Sequence, residues 1–446
     1  MTFRTKDSGI EWVGHIPSHW STRRIKFLAN REENSFIDGD WIESPYVIDK
    51  GIPYFTTGNI GDGVFKPSDS ASFISKESFE ELKCKFAYGG DLIFSRLNAP
   101  YGRSCLLPLS VGKCVIAVDN VILRTDQCKE FVCYVTQCPG YQKMIEGLSA
   151  GTAMKRISRT RLGNVKIPLP PLAEQRSIAT FLNKKCCAID SLIASKQALL
   201  EKLEEYRKAV ITKAVTKGLN PNVNMKDSGI SWIGEIPSNW QIVKVKQVTS
   251  LVTDGAHVAP ETENGVYDFV STVDIDNDTI DFNSCLKTSE SSYEYLVATK
   301  CKPNIGDVLI SKDGTVGKTV VVKDDRNFVV ASSLVILRPK VNLVMPYFLN
   351  YALRSNIVQE TLASLMHGAG LKRVSVEKNA NLQIVLPPIG EQQEIISFLD
   401  EKCSAINCLI SKEQETVKKL REYRSSLITA AVTGKIDVTN IHPKEQ

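Results

Sequence analysis

The chain predicts an α+β protein of two pseudo-twofold-related globular domains. Each is a curved mixed β-sheet with short helices, and the two are separated by two long helices forming an antiparallel coiled coil. Three observations predict this. The sequence is written twice. Each copy ends in a run of on the order of 40 residues with heptad-spaced apolar positions and no Gly or Pro. Within each copy, short β-branched runs alternate with turn residues.

The repeat has three blocks. KDSGIEWVGHIPSHW (Lys6 to Trp20) returns as KDSGISWIGEIPSNW (Lys226 to Trp240), identical at 11 of 15 positions. GTAMKRIS (Gly151 to Ser158) returns as GAGLKRVS (Gly368 to Ser375). LPPLAEQRSIATFLNKKC from Leu169 returns as LPPIGEQQEIISFLDEKC from Leu386, and EYRKAVITKAVT from Glu205 as EYRSSLITAAVT from Glu422. The segments inside the copies, 21–150 and 241–367, share only a skeleton: GGDLIFSR (Gly89 to Arg96) against IGDVLISK (Ile305 to Lys312), and NVILR (Asn120 to Arg124) against SLVILR (Ser333 to Arg338). Two similar frames carry two dissimilar inserts. A two-repeat array is too short for a solenoid, so a pseudo-twofold molecule is expected.

Strands are expected at Tyr54–Thr56, Asp91–Ser95, Cys114–Val118 and Val121–Leu123, and in the second copy at Asp268–Val270, Val308–Ile310 and Val320–Val322. Helices are expected from Lys129 to Met144 and from Pro346 to Leu365. The frame opens at Pro170-Pro171, after which Glu174 sits in the first turn of a helix, where an acid complements the dipole. Apolar positions then recur at Ile178, Leu182, Ile189, Leu192, Leu199, Leu203, Tyr206 and Val210, and at Ile395, Leu399, Ile406, Leu409, Leu420, Tyr423 and Leu427. Each helix should run about 60 Å at 1.5 Å per residue. A narrow apolar seam on so long a rod needs a partner, and each copy supplies the other's. The expected seam is Leu182, Ile189, Lys196, Leu203 and Val210 against Leu399, Ile406, Glu413, Leu420 and Leu427. Lys196 and Glu413 occupy equivalent positions with opposite charge near its midpoint and are expected to help fix register; each helix packing on its own domain is the alternative.

Composition narrows the class. The 446 residues are 43% apolar and 24% charged, with 55 Lys+Arg against 50 Asp+Glu, an ordinary globular balance. No apolar run approaches the roughly 18 residues of a membrane span, and MTFRTKDSGIEW lacks the apolar stretch of a secretory signal, so a cytoplasmic protein is expected. The 12 cysteines include no C-x-x-C pair, which predicts reduced buried thiols and no metal site. A net charge of +5 permits nucleic-acid binding without demanding it.

Catalytic motifs are absent or defective. GTVGKT (Gly314 to Thr319) follows a strand but has two residues between its glycines where a triphosphate loop has four. NAPY (Asn98 to Tyr101) resembles the Asn-Pro-Pro-Tyr signature of DNA amino-methyltransferases but departs at its second residue, and no glycine-rich cofactor loop precedes it. The histidines show no ligand pattern, and His15 and His19 read as plain surface residues. What remains is a set of basic and polar turns suited to DNA, where Arg and Lys contact phosphates or guanine and Asn reads adenine. The expected DNA-binding residues are Thr57, Asn59, Arg96, Asn98, Tyr101, Arg103, Lys155 and Arg156 in the first copy. In the second they are Thr272, Asp274, Lys312, Asp313, Lys318, Lys372 and Arg373. For any one of them a solvated loop is the alternative; Arg156 and Arg373, in the recurring Gly-x-x-x-Lys-Arg segment, come first.

Taken together, in order and twice over, the S-G-I-x-W-[VI]-G-x-I-P-x-x-W segment, the G-D-[LV]-[IL]-[FI]-S-[RK] strand, the L-P-P-[LI]-x-E-Q helix start and the paired long helices resemble the specificity subunit of type I restriction–modification systems. The resemblance spans essentially the whole chain. It implies target recognition domains at 1–168 and 219–385, spacer helices at 169–218 and 386–436, and a tail at 437–446. It further implies that each domain reads one half of a bipartite asymmetric site in double-stranded DNA while the helices set the spacing. The subunit would be non-catalytic. It would dock two methyltransferase subunits for adenine methylation, with restriction subunits joining for cleavage, and S-adenosylmethionine, ATP and Mg would bind only those partners. A self-sufficient enzyme and a helical scaffold without sequence-specific DNA binding are the rival classes.

Overall fold

A computed structural model of the chain describes residues 4–68, 70–151, 155–263, 265–276, 278–366 and 372–438. The glycines of the second Gly-x-x-x-Lys-Arg segment and most of the tail 437–446 lie outside these. The chain forms two compact units, Met1–Lys196 with Glu415–Gln446, and Gln197–Gln414. The end of the second long helix thus belongs with the first repeat, and the end of the first long helix with the second repeat.

In the first unit, Ser104–Leu106, Leu92–Ser95, Asn120–Leu123 and Phe36–Asp38 form a four-stranded antiparallel sheet in that order. A five-stranded sheet beside it contains one parallel pair, Ile52–Phe55 with Lys113–Ile116. The second unit repeats the plan. Thr319–Val321, Val308–Ser311, Leu334–Pro339 and Thr249–Asp254 are ordered alike, and Tyr267–Val270 runs parallel to Phe328–Val330. The Gly-Asp strands are the centre of both: Leu92, Ile93 and Phe94, like Val308, Leu309 and Ile310, are fully buried. Burial on both faces explains why these stretches read as continuous rather than alternating apolar runs. At the mouth of each strand the repeated Asp is held by the repeated Arg of the neighbouring strand. Asp91 Oδ2 accepts from Arg124 Nε at 3.2 Å, and Asp307 accepts from Arg338 Nε and Nη2 at 3.0 and 2.8 Å.

Each expected short helix is broken in two. Lys129–Thr136 stops before Pro139–Leu148, because Pro139 has no N–H to continue the ladder. Pro346–Arg354 stops at Ser355, whose backbone is extended at φ −61° and ψ 147°, before Asn356–Leu365.

The long helices span Leu172–Lys217 (46 residues) and Ile389–Val432 (44 residues). Within each unit they run antiparallel. In the first, Glu174 and Ile178 lie beside Gly434 while Asp190 pairs with Arg424 at 2.8 Å. In the second, Trp240 touches both Glu391 and Gly218, and Arg207 Nη1 donates to Asn407 at 2.7 Å. The repeated opening segments explain this welding. Trp20 and Trp240 are buried, and each indole N–H donates to the Glu of Leu-Pro-Pro-x-x-Glu-Gln at 2.8 Å, Glu174 and Glu391. The same glutamates accept from His19 and Asn239, so His19 is a bracing residue rather than plain surface. The following glutamines, Gln175 and Gln392, are buried and accept from the backbone N–H of Cys128 and Met345. Gly218 and Gly434 end the contact at φ +74° and +72°. A Cβ there would lie 3.2 Å from Trp240 and 3.1 Å from Trp20, so both the left-handed backbone and the space call for glycine.

In each seam one column matches the expected residues: Leu182, Ile189, Leu399 and Ile406 are buried, and Lys196, Leu203, Val210, Glu413, Leu420 and Leu427 half-buried. Lys196 and Glu413 fall in different units. Leu192, Leu199, Tyr206, Leu409 and Tyr423, by contrast, are exposed. The second column instead starts at Cys186 and Cys403 and continues through Ile193, Ile410 and Val417, all buried. No helix among the described residues is long and apolar enough to cross a membrane.

Candidate nucleic-acid interface

In both units the central strand continues past its last ladder residue and meets the Lys-Arg segment. Leu97 bridges Arg156, and Ile157 N–H donates to Arg96 O at 3.0 Å; Asp313 bridges Arg373, and Val374 N–H donates to Lys312 O at 2.9 Å. The turn that follows carries Asn98 in the first unit and Gly314-Thr315 in the second, all exposed. Asn98 sits at φ +61°, which Asn tolerates better than most residues. Lys155, Arg156, Lys372 and Arg373 are exposed beside these turns. Each unit therefore presents a divergent turn flanked by two outward cations, an arrangement suited to phosphate and base-edge contacts.

Many expected contact residues face inward instead. Arg103 is buried and donates to the carbonyls of Thr57, Ile60, Leu97, Asn98 and Pro100. Burial holds its pKa below the usual guanidinium value. Lys318 does the equivalent in the second unit: its Nζ donates to Ile275 O at 2.7 Å and Thr272 O at 3.4 Å. That is also why Gly314–Thr319 is no phosphate loop, since its lysine is committed to carbonyls. Asn59 is buried, accepting from Thr56 N–H and donating to Lys66 O and Ser68 Oγ. Asp274 likewise accepts from Ser271 N–H and Oγ at 2.8 Å, and Thr272 Oγ1 donates to Ser333 O. Thr57 is half-buried and contributes its carbonyl; Tyr101 packs partly into the core. These side chains shape the turns, since a buried polar group must spend its hydrogen bonds on the protein.

Arg96 and Lys312, also buried, each sit within a chain of charges. Arg96 lies 3.3 Å from Asp38 and 3.8 Å from Asp119, and Asp119 lies 3.5 Å from Arg156. Lys312 lies 3.3 Å from Asp254 and 3.6 Å from Asp313, and Asp313 pairs with Arg373 at 2.6 Å. Asp38, Asp119 and Asp254 were absent from the expected set. For two of them a signal existed: Asp38-Gly39 and Asp254-Gly255 recur at an offset of 216. The glycines are needed because a Cβ would fall 2.2 Å from Ile116 O and 2.0 Å from Val330 O. Among the described residues no group of three or more His, Cys, Asp and Glu could hold a metal ion.

The family model described as the type I restriction modification DNA specificity domain matches twice, at residues 17–205 and 237–419. The chain belongs to that family. Each match falls largely on one of the two units, and each unit includes a share of both long helices. The chain is 26% identical to the MjaVIII specificity subunit of Methanocaldococcus jannaschii, over 99% of both chains. It is 23% identical to the EcoBI specificity subunit of Escherichia coli, over 67% of this chain and 64% of that one; this alignment thus spans just under two thirds of that relative. A solved chain described with the complex assembly and conformational transition of the type I R-M system superposes with a TM-score of 0.67. It is 16% identical, with 94% and 99% of the two chains covered, a likeness of fold.

Proposed function

We propose that this chain reads a bipartite, asymmetric site in double-stranded DNA, one half per target recognition domain, with the long helices setting the spacing between the halves. It works in the cytoplasm as the non-catalytic part of an assembly with two methyltransferase subunits and with restriction subunits. S-adenosylmethionine, ATP and Mg belong to those partners. The observation that carries this reading is the contrast within each unit: the frame, the Asp–Arg strand clasp and the outward Lys-Arg pair recur, while the exposed turns beside them differ. Repeated frames suit two identical partners, and unlike turns suit two unlike half-sites. Lys155 and Lys372 supply phosphate contacts, which position without specifying, and Asn98 and the Gly314-Thr315 turn lie where base edges are read.

The test is the methylated sequence itself. The chain assembled with its methyltransferase subunits should methylate adenine in one split motif. Exchanging residues 21–150 for the insert of a different specificity subunit should change one half of that motif. Lengthening both long helices by two turns should change the spacing and leave both half-sequences intact. Uniform or absent sequence preference in the wild-type assembly would favour a scaffold instead, and an unchanged spacing would remove the ruler.

A further inference from the structure

The two units build the same chain of charges from different sequence. In the second unit the order is Asp254, Lys312, Asp313, Arg373; in the first it is Asp38, Arg96, Asp119, Arg156. The first, second and fourth members are equivalent between the repeats, at offsets of 216, 216 and 217. The third is not. Asp313 follows Lys312 on the central strand, where the first repeat has Leu97. Asp119 comes from the turn before the neighbouring strand, at the place of Ser333: the backbone N–H of Arg96 donates to Asp119 O, and that of Lys312 to Ser333 O. A carboxylate thus lies between the buried cation and the outward arginine in both units, supplied from two different parts of the chain.

Its geometry says what it does. Arg373 is 59% exposed, yet its Nε and Nη2 donate to Asp313 Oδ1 and Oδ2 at 2.6 and 3.2 Å. An ordinary exposed ion pair orders a long side chain weakly. Asp313 differs because its side chain is only 9% exposed and is backed by Lys312, itself 5% exposed. The anchor is therefore rigid. Using the Nε–Nη2 edge leaves the end-on Nη1–Nη2 fork of the guanidinium for another partner, the fork that matches O6 and N7 of guanine. A phosphate contact needs no such aiming, and the neighbouring flexible Lys372 serves it better.

We propose that Asp313 is a positioning residue that aims Arg373 at a guanine edge in the second half-site; Arg156 meets Asp119 only through Nη1 at 3.5 Å, a looser pair that does not leave the same fork free. This rests on the two-half-site reading above. The test uses the full chain assembled with its methyltransferase subunits and duplex libraries randomised across each half-site. Asp313→Asn should lower discrimination about tenfold at one base pair of the second half-site, with the first half-site read as before. Arg373→Lys, which keeps a cation beside buried Asp313 and so spares the fold, should relax the same base pair as Asp313→Asn. The proposal falls if Asp313→Asn leaves discrimination intact while Arg373→Lys relaxes it. It also falls if both variants weaken every sequence equally with a reduced salt dependence, the mark of a phosphate contact. Loss of any bipartite preference in the wild-type assembly would instead sink the reading on which it rests.

Discussion

Arg103 shows how one buried residue organises two turns at once. Its guanidinium gathers carbonyls from two separate turns, Thr57 and Ile60 on one and Leu97, Asn98 and Pro100 on the other. Deleting it strands the buried Ile60 carbonyl and loosens four part-buried ones, at a desolvation cost of roughly 1–3 kcal/mol for each that water cannot reach. Arg103→Ala should therefore destabilise the first unit by about 2–4 kcal/mol, seen as a lower thermal midpoint and faster amide exchange across 57–60 and 97–100. Arg103→Lys should recover about half of the loss, because Lys318 braces the Thr272 and Ile275 carbonyls with an ammonium alone. Equal midpoints for the alanine variant and the wild type would refute the brace. The residue type was legible from the sequence; its direction was not, since its acceptors lie as far as 46 positions away.

At the scale of elements, the long helices were legible in extent and in one column of their seam. The second column was misplaced by a single residue. Counting three from Ile189 reaches Leu192, and counting four reaches Ile193. The structure buries Ile193 to 9% and leaves Leu192 44% exposed, because the column begins at Cys186, seven residues earlier. A cysteine in a sequence otherwise scanned for aliphatics hides the start of that stripe. Ile193→Ala should therefore cost about 2 kcal/mol through lost packing, whereas Leu192→Gln should stay within roughly 0.5 kcal/mol. Urea midpoints of the two variants check this, and a larger loss for Leu192→Gln would restore the misplaced column. The broken helices at Pro139 and Ser355 are a related lesson. Apolar periodicity carries across a break that backbone geometry imposes.

For the molecule as a whole, the cysteines report on how completely the two cores are closed. None of the 12 is in a disulfide. Burial pushes the Cys105, Cys114 and Cys133 thiols up to about 12, while Cys187 in the first unit and Cys408 in the second are exposed. A thiol whose folded pKa is raised carries little thiolate near pH 8, and the thiolate is the reactive form. Brief labelling of the native chain at pH 8, read by mass spectrometry, should modify Cys187 and Cys408, with the buried thiols following only after denaturation. Rapid labelling of Cys105 or Cys133 would mean that the cores open readily.

The duplication, the two long helices, the Gly-Asp strands and the family were all determined by the sequence alone. They rest on local pattern and on blocks that recur at a nearly constant offset. Only the tertiary structure decided that each unit takes the end of the other repeat's helix, and which polar side chains turn outward. Arg96 and Arg156 are both arginines in polar stretches. One is buried among two aspartates and a carbonyl, and the other stands 61% exposed above them. The difference lies in partners from distant strands: burying a charge is tolerable only where opposite charge and hydrogen bonds meet it, and that meeting exists only once the chain has folded.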